Sequence, residues 1–437
     1  MRALRTLMPP PGVVTVLTIS NLARTVGNGF LLSVSVLYFI RAVHVPAGQV
    51  GLGLTVSAVL AMAVSIPAGQ LSDRLGSRTA SLAFGVTQGL LVCGYALAGG
   101  FAGFLAVVSL TAMADSASTA ARGALIADAL PPGERVRARA YLQSVINVGL
   151  SGGTLLGGVA LSADSRTVYT AMLLGAGALF TVGGLTCLAL PPQAPRRAPK
   201  GQRDRHVLRD VPYLAVSLCN AVLVLGTDAL LTAALPIWIA DRTRAPVSVY
   251  AAIMFLNTAM CVLFQVRLSR GAEDVRGGAR AMRRSGVLLA AACGVFALSA
   301  GRPAWMAVGC LLAGALAQVI GEMLHSAGSW ALSYELAPAH AHGQYQGLYG
   351  IAQRAGTAIT PVLTTALLIG WGWPGWLVFA AVLLAGGLAT PAVARWAERN
   401  RPFDGADDCP GGDRADGRGT GDAAASRTSG AAAPTSA

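Results

Sequence analysis

Long apolar runs alternate along this chain with short polar patches rich in arginine. The runs fall at roughly 13–40, 47–68, 80–99, 102–128, 139–163, 167–190, 211–240, 248–266, 285–301, 304–334, 344–370 and 374–396. A bilayer core ~30 Å thick takes about 20 apolar residues per helix. Each run is therefore a predicted spanning helix, the longer ones tilted or extending past the bilayer. The pattern predicts an all-α membrane protein with twelve transmembrane helices. A polar stretch at 191–210 divides them six and six, giving one bundle over 1–190, a basic cytoplasmic linker over 191–210 and a second bundle over 211–400. Residues 401–437 are mostly Gly, Ala, Asp and Ser without apolar periodicity, and are expected to form a disordered cytoplasmic tail. The first run is too long for a signal peptide, carries Asn21, Arg24 and Asn28, and lacks a small-residue cleavage site. It reads as the first span.

Composition agrees with this pattern. The 437 residues are 54% hydrophobic and 12% charged, with a mean hydropathy of +0.57; a soluble domain carries about a quarter charged residues. A net charge of +13 invites a nucleic-acid reading, but the placement of the charges argues against it. Arginines crowd the loops on the side of both termini, whereas the opposite loops hold only Arg41, Arg166, Arg242, Arg244 and Arg302. This bias places both termini in the cytoplasm of a plasma-membrane protein. Arginine outnumbers lysine 32 to 1, a bias of GC-rich bacterial genomes. The seven cysteines stand apart, six of them singly in apolar runs, with neither CxxC pairs nor nearby histidines, and read as packing residues, not disulfides or metal ligands. No triad, P-loop or metal spacing is present, so neither an enzyme, a cofactor nor an ATP-driven pump within the chain is implied.

The two halves carry an internal repeat. The stretch at 28–46, "NGFLLSVSVLYFIRAVHVP", matches "DALLTAALPIWIADRTRAP" at 228–246, and "RGALIADALP" at 122–131 matches "SWALSYELAP" at 329–338. The offset grows from 200 to 207, and the extra residues fit a long loop expected over 267–284. By this register Asn28 corresponds to Asp228 and Asp115 to Glu322, four polar groups near the middles of spans one, seven, four and ten.

The loop after the second run reads "GQLSDRLGSR" at 69–78. With Gly69, Leu71, Asp73, Arg74, Gly76 and Arg78, it resembles the motif between spans two and three of the major facilitator superfamily (MFS), and the resemblance covers residues 1 to about 400. It implies the MFS fold of two pseudo-symmetric six-helix bundles, with spans one, four, seven and ten around a central cavity. It also implies that this loop latches the halves on the cytoplasmic side in an outward-open state. Asp73 is then expected at the positive end of the helix beginning near Gly343 and Gln344. Ser77 replaces a common arginine, so Arg74 or Arg78 must serve the acid Asp128 that ends span four. Gly149, Gly153, Gly157 and Gly158 resemble an antiporter motif, with Thr154 at its proline position; close helix packing explains them equally well.

An ionisable group at mid-bilayer costs ~2.5–3.5 kcal/mol or more, so it faces water or a partner. Asn28, Asp115, Asp228, Glu322 and His325 are the candidate substrate or proton residues. Arg24 and Arg354 are candidate charge partners, Arg24 for Asp115 and Arg354 for Glu322 or Asp228. His325 follows Glu322 on one helix face and reads either as a proton relay or as a packing residue. The leading expectation is a monomeric secondary transporter in the lipid bilayer, exporting a small amphipathic compound, cationic in the simplest case, in exchange for protons. The alternatives are a metabolite symporter or facilitator for an anionic substrate, and a non-transporting receptor or scaffold.

Overall fold

The computed structural model describes residues 12–161, 165–192 and 207–400. Most of the expected linker and the whole of the expected tail lie outside them. Apart from short 3-10 and π turns, the described secondary structure is α-helical without strands.

The helices are α1 (Val13–Leu37), α2 (Ala47–Leu75), α3 (Ser77–Cys93), α4 (Gly100–Ala129), α5 (Pro132–Leu161) and α6 (Arg166–Leu185). There follow α7 (Val211–Val224), α8 (Asp228–Ala233), α9 (Leu235–Arg242), α10 (Val249–Leu268), α11 (Val275–Ala297), α12 (Ala304–Glu335), α13 (His342–Thr364) and α14 (Trp373–Arg399).

Two helices begin earlier than hydropathy predicts. Helix α5 starts at Pro132, where a missing N–H costs nothing, and so takes Arg135, Arg137 and Arg139 into its first turns. Helix α11 starts at Val275, with the Asp274 carboxylate accepting from the Gly277 N–H at 2.6 Å. The long loop expected over 267–284 thus shrinks to 269–274. Hydropathy marks where a helix meets lipid, whereas capping marks where it begins.

The run at 211–240 is not one helix but three. The helix is interrupted between Val224 and Asp228, around Gly226, and is divided again at Ala234, whose own backbone stays right-handed, ahead of Pro236 in the first turn of α9. Glycine weakens a helix and proline removes a donor.

Among the described residues, eight helical segments are long and apolar enough to cross a membrane: α1, α2, α3, α4, α6, α10, α12 and α14. Arginines on α11, and amides with Arg354 on α13, keep those two below that mark, whereas the arginines of α5 lie only in its first turns. The surface is correspondingly apolar: Leu32, Val59, Leu90, Leu155, Leu218, Phe255 and Val362 are each more than half exposed. Such a belt is stable in lipid and would drive aggregation in water.

Packing repeats along the chain. Helix α1 packs on α5 and α6, α2 on α4, and α3 on α4 and α6. The same pairings recur as α7 on α13 and α14, α10 on α12, and α11 on α12 and α14. The two sets meet where α13 lies against α2 and α4 and where α5 lies against α10 and α12.

Candidate substrate cavity and gate

The motif at 69–78 forms a close joint with α13. Gly76, at φ 87°, ends α2 in a conformation that favours glycine and lets α3 start at once. Gly69 and Gly343 meet backbone to backbone, leaving no room for a side chain on either. Asp73 Oδ1 accepts from the Gly343 N–H at 2.7 Å and Oδ2 from the Gln344 N–H at 3.1 Å. Those are free donors of the first turn of α13, so Asp73 caps that helix from outside, as expected. Ser65 Oγ donates to the Gly347 carbonyl at 2.9 Å one turn further in, and Arg135 pairs with Glu335 at 3.7 Å. Arg78 does not serve Asp128. It donates to the carbonyls of Cys187 and Leu188 at 3.2 and 2.7 Å, in the 3-10 turn that follows α6. Arg74 makes no ion pair with Asp128 among the described residues either.

Deeper in, Asp115 accepts from three helices. Arg24 Nη1 of α1 reaches Oδ1 at 2.9 Å, Gln88 Nε2 of α3 reaches Oδ1 at 3.1 Å, and Arg354 Nη2 of α13 reaches Oδ2 at 3.0 Å. The Arg24 pairing is the expected one. Arg354 is a correction, since it pairs with Asp115 and not with Glu322; the side chain of Asp228, the other expected partner, lies outside the described residues. Helix α13 crosses against α4, which sequence spacing cannot reveal.

Glu322 lies near the middle of α12, as Asp115 lies near the middle of α4, in different surroundings. Its Oε2 accepts from Asn257 at 3.2 Å and from Gln318 at 3.0 Å. Gln318 is fully buried and also donates to the carbonyl of Gly226 at 3.4 Å, tying Glu322 to the break between α7 and α8. Glu322 faces a cavity of about 520 Å³ between α5, α7, α10, α12 and α13. Amides and hydroxyls dominate the wall, among them Gln143, Asn147, Asn257, Gln265, Gln353 and Thr357, with Trp330 and Met254 as larger apolar surfaces. Glu322 is the only carboxylate and Arg139 the only arginine among the described lining residues. His325 also lines the cavity, but its Nε2 meets Asn220 Oδ1 at 2.9 Å, and among the described residues no bond joins it to Glu322. That geometry fits the packing role better than a relay. Asn28 on α1 does not line this cavity, and the side chain of Asp228 lies outside the described residues.

A family model described as Major Facilitator Superfamily matches residues 17–361. The chain belongs to that superfamily. Its members' single-chain transporter architecture agrees with the apolar belt and the polar interior. An uncharacterized MFS-type transporter, YhjO, of Bacillus subtilis (strain 168) is 26% identical over 333 residues, covering 75% of this chain and 79% of its own. Among solved structures, a bacterial homologue of the iron transporter ferroportin in an outward-facing state superposes with a TM-score of 0.70 at 15% identity, over 89% of this chain and 100% of that one. The MFS transporter FucP in its outward conformation gives 0.67 at 12% identity, over 90% and 99%. At these identities the structures establish the shared fold.

Within this MFS fold the glycines of α5 pack a neighbouring helix. Gly149, Gly153 and Gly157 sit against Thr25, Gly29 and Ser33 of α1, two small-residue stripes at matching spacing, whereas Gly158 faces open space. Sequence reading missed Gln88, Asn257, Gln318 and Arg139. The first three are neutral and sit in apolar runs, although Gln318 and Glu322 stand four residues apart on one helix, a signal that could have paired them. Arg139 was hidden because it counts as a loop charge until α5 is known to begin at Pro132.

Proposed function

We propose that this chain is a twelve-span secondary transporter of two six-helix bundles, 1–190 and 211–400, joined by a cytoplasmic linker. Both termini lie in the cytoplasm, and the monomer exports a small compound from the cell in exchange for protons by alternating access. In this reading the conformation is outward-open, and the contacts of Asp73 with α13 and of Arg135 with Glu335 hold the cytoplasmic end shut. Twelve spans follow once α5, α11 and α13 are counted with their polar faces turned inward, and α7 to α9 are counted as one interrupted span.

The observation that carries the reading is Glu322. It is a carboxylate at mid-helix, facing a polar cavity and held by two neutral amides. Such a group can exchange a proton for a cationic group at one site. Asp115, gripped by two guanidinium groups, is a charge clasp in this scheme rather than the carrier. The test is the pH inside inverted vesicles bearing an imposed proton gradient, followed as cationic, neutral and anionic compounds are added. Glu322→Gln is expected to abolish compound-driven dissipation in a protein that still folds. Dissipation that persists in this variant refutes the assignment.

A second reading has its own support. Arg24 and Arg354 share a single carboxylate, so the clasp carries excess positive charge that would suit uptake or facilitated passage of an anion. The same vesicles decide, because only anionic compounds would then move, with or without the gradient.

A further inference from the structure

Besides Glu322, the cavity wall carries one more charged side chain, which no described carboxylate neutralises. Arg139 lines the cavity from α5, yet makes no ion pair with any described carboxylate, and its Nε is buried without a hydrogen-bond partner. Its neighbours strengthen the positive field. Arg122 of α4 is 7% exposed, with Nε and Nη1 unpartnered, and both Arg122 and Arg24 lie within electrostatic reach of Arg139. A half-buried cation without an anion is costly, and the cost is relieved when a ligand supplies one.

Arg139 and Glu322 also stand at different depths. The Arg135–Glu335 pair fixes a common level for α5 and α12. Arg139 is one turn inward of it and Glu322 more than three turns, so at 1.5 Å per residue their Cα levels differ by ~14 Å. Side chains reaching towards the cavity leave roughly 10 Å for a ligand to bridge. The wall between them offers Gln143, Asn147, Ser329 and Gln353, neutral groups that can hydrogen-bond a polar molecule of either charge.

We infer that the substrate is zwitterionic, its anionic group bound by Arg139 at the cavity floor and its cationic group by Glu322 higher up. The inference rests on the export reading above and narrows it. The ammonium group takes the place of the proton on Glu322, while the anion on Arg139 fixes orientation and excludes simple lipophilic amines. Arg139 is thus a specificity-determining residue.

The experiment is calorimetric titration of the full-length protein in lipid nanodiscs with 8-aminooctanoate, octylamine and octanoate. It is run in two buffers of different ionisation enthalpy, so that proton release is counted. The expected result is binding of 8-aminooctanoate at least tenfold tighter than either singly charged probe. Arg139→Gln should erase its advantage over octylamine, Arg139→Lys should keep part of it, and Glu322→Gln should erase its advantage over octanoate. Equal affinity for all three probes, binding of none by the folded protein, or an unchanged preference in Arg139→Gln overturns the inference. The proton count separates it from the export reading. Zwitterion preference without proton release upholds the inference and sinks proton exchange. Proton release driven equally by octylamine does the reverse.

Discussion

At the scale of single residues, two carboxylates at equivalent repeat positions have opposite surroundings. Asp115 is bound by Arg24, Gln88 and Arg354, and the three charged side chains are between 18 and 36% exposed. Partial exposure puts the value of the clasp between the ~0.2–1 kcal/mol of surface pairs and the ~3–5 kcal/mol lost when a buried pair is broken. Asp115→Asn is therefore expected to cost about 2 kcal/mol of stability, read as a lowered unfolding midpoint in detergent. An unchanged midpoint would show that the arginines find other partners. Glu322→Gln, by contrast, keeps the shape of the side chain among Asn257 and Gln318 and is expected to leave the midpoint almost unmoved while abolishing proton exchange. The acids themselves were legible in the sequence, because charge in an apolar run is rare. Their partners were not, because Gln88 and Arg354 lie on helices distant in the chain.

At the scale of elements, the contact of α1 with α5 depends on small residues facing small residues. Gly153 has backbone of α1 on its open side, so Gly153→Val must push the helices apart, at a cost of about 1–3 kcal/mol by analogy with overpacked cores. Gly158, four residues from Thr154 on the same helix and part of the same sequence motif, faces open space, and Gly158→Ala is expected to stay within ~0.5 kcal/mol of the parent. Thermal unfolding of the pair in detergent separates packing from any requirement of the motif as a whole. Equal losses in both variants would argue that the glycines are needed for flexibility. The breaks at Gly226 and Ala234 belong to the same scale. Glycine and proline mark them in the sequence, but only packing shows that Gln318 holds a carbonyl at the first break.

At the scale of the whole molecule, the two sets of helices are held together by contacts concentrated around α13. Asp73 makes two hydrogen bonds from an ionised acceptor, each worth ~1.5–3 kcal/mol, to N–H groups of a helix that belongs to the other set. Asp73→Asn weakens both, and a loss of about 1.4 kcal/mol already shifts a two-state equilibrium tenfold. Spin labels at Gly133 and Pro338, which flank the Arg135–Glu335 pair, are expected to report a longer-distance population in this variant, with Arg135→Ala adding to it. A distance distribution identical to the parent's would mean that the latch does not govern opening.

The sequence by itself determined most of the elements and the family: apolar runs of bilayer length dictate helices, though not where α5 and α11 begin or where 211–240 breaks, and Gly69, Asp73 and Gly76 announce a joint with α13. Those features are local or periodic, so they survive in one dimension. The tertiary structure alone decided that Arg354 crosses to Asp115, that Glu322 and Arg139 share one cavity, and that Arg78 closes the end of α6. Each of those depends on which helices lie side by side and how each is rotated, and that is set by packing summed over the whole interior rather than by any stretch of the chain.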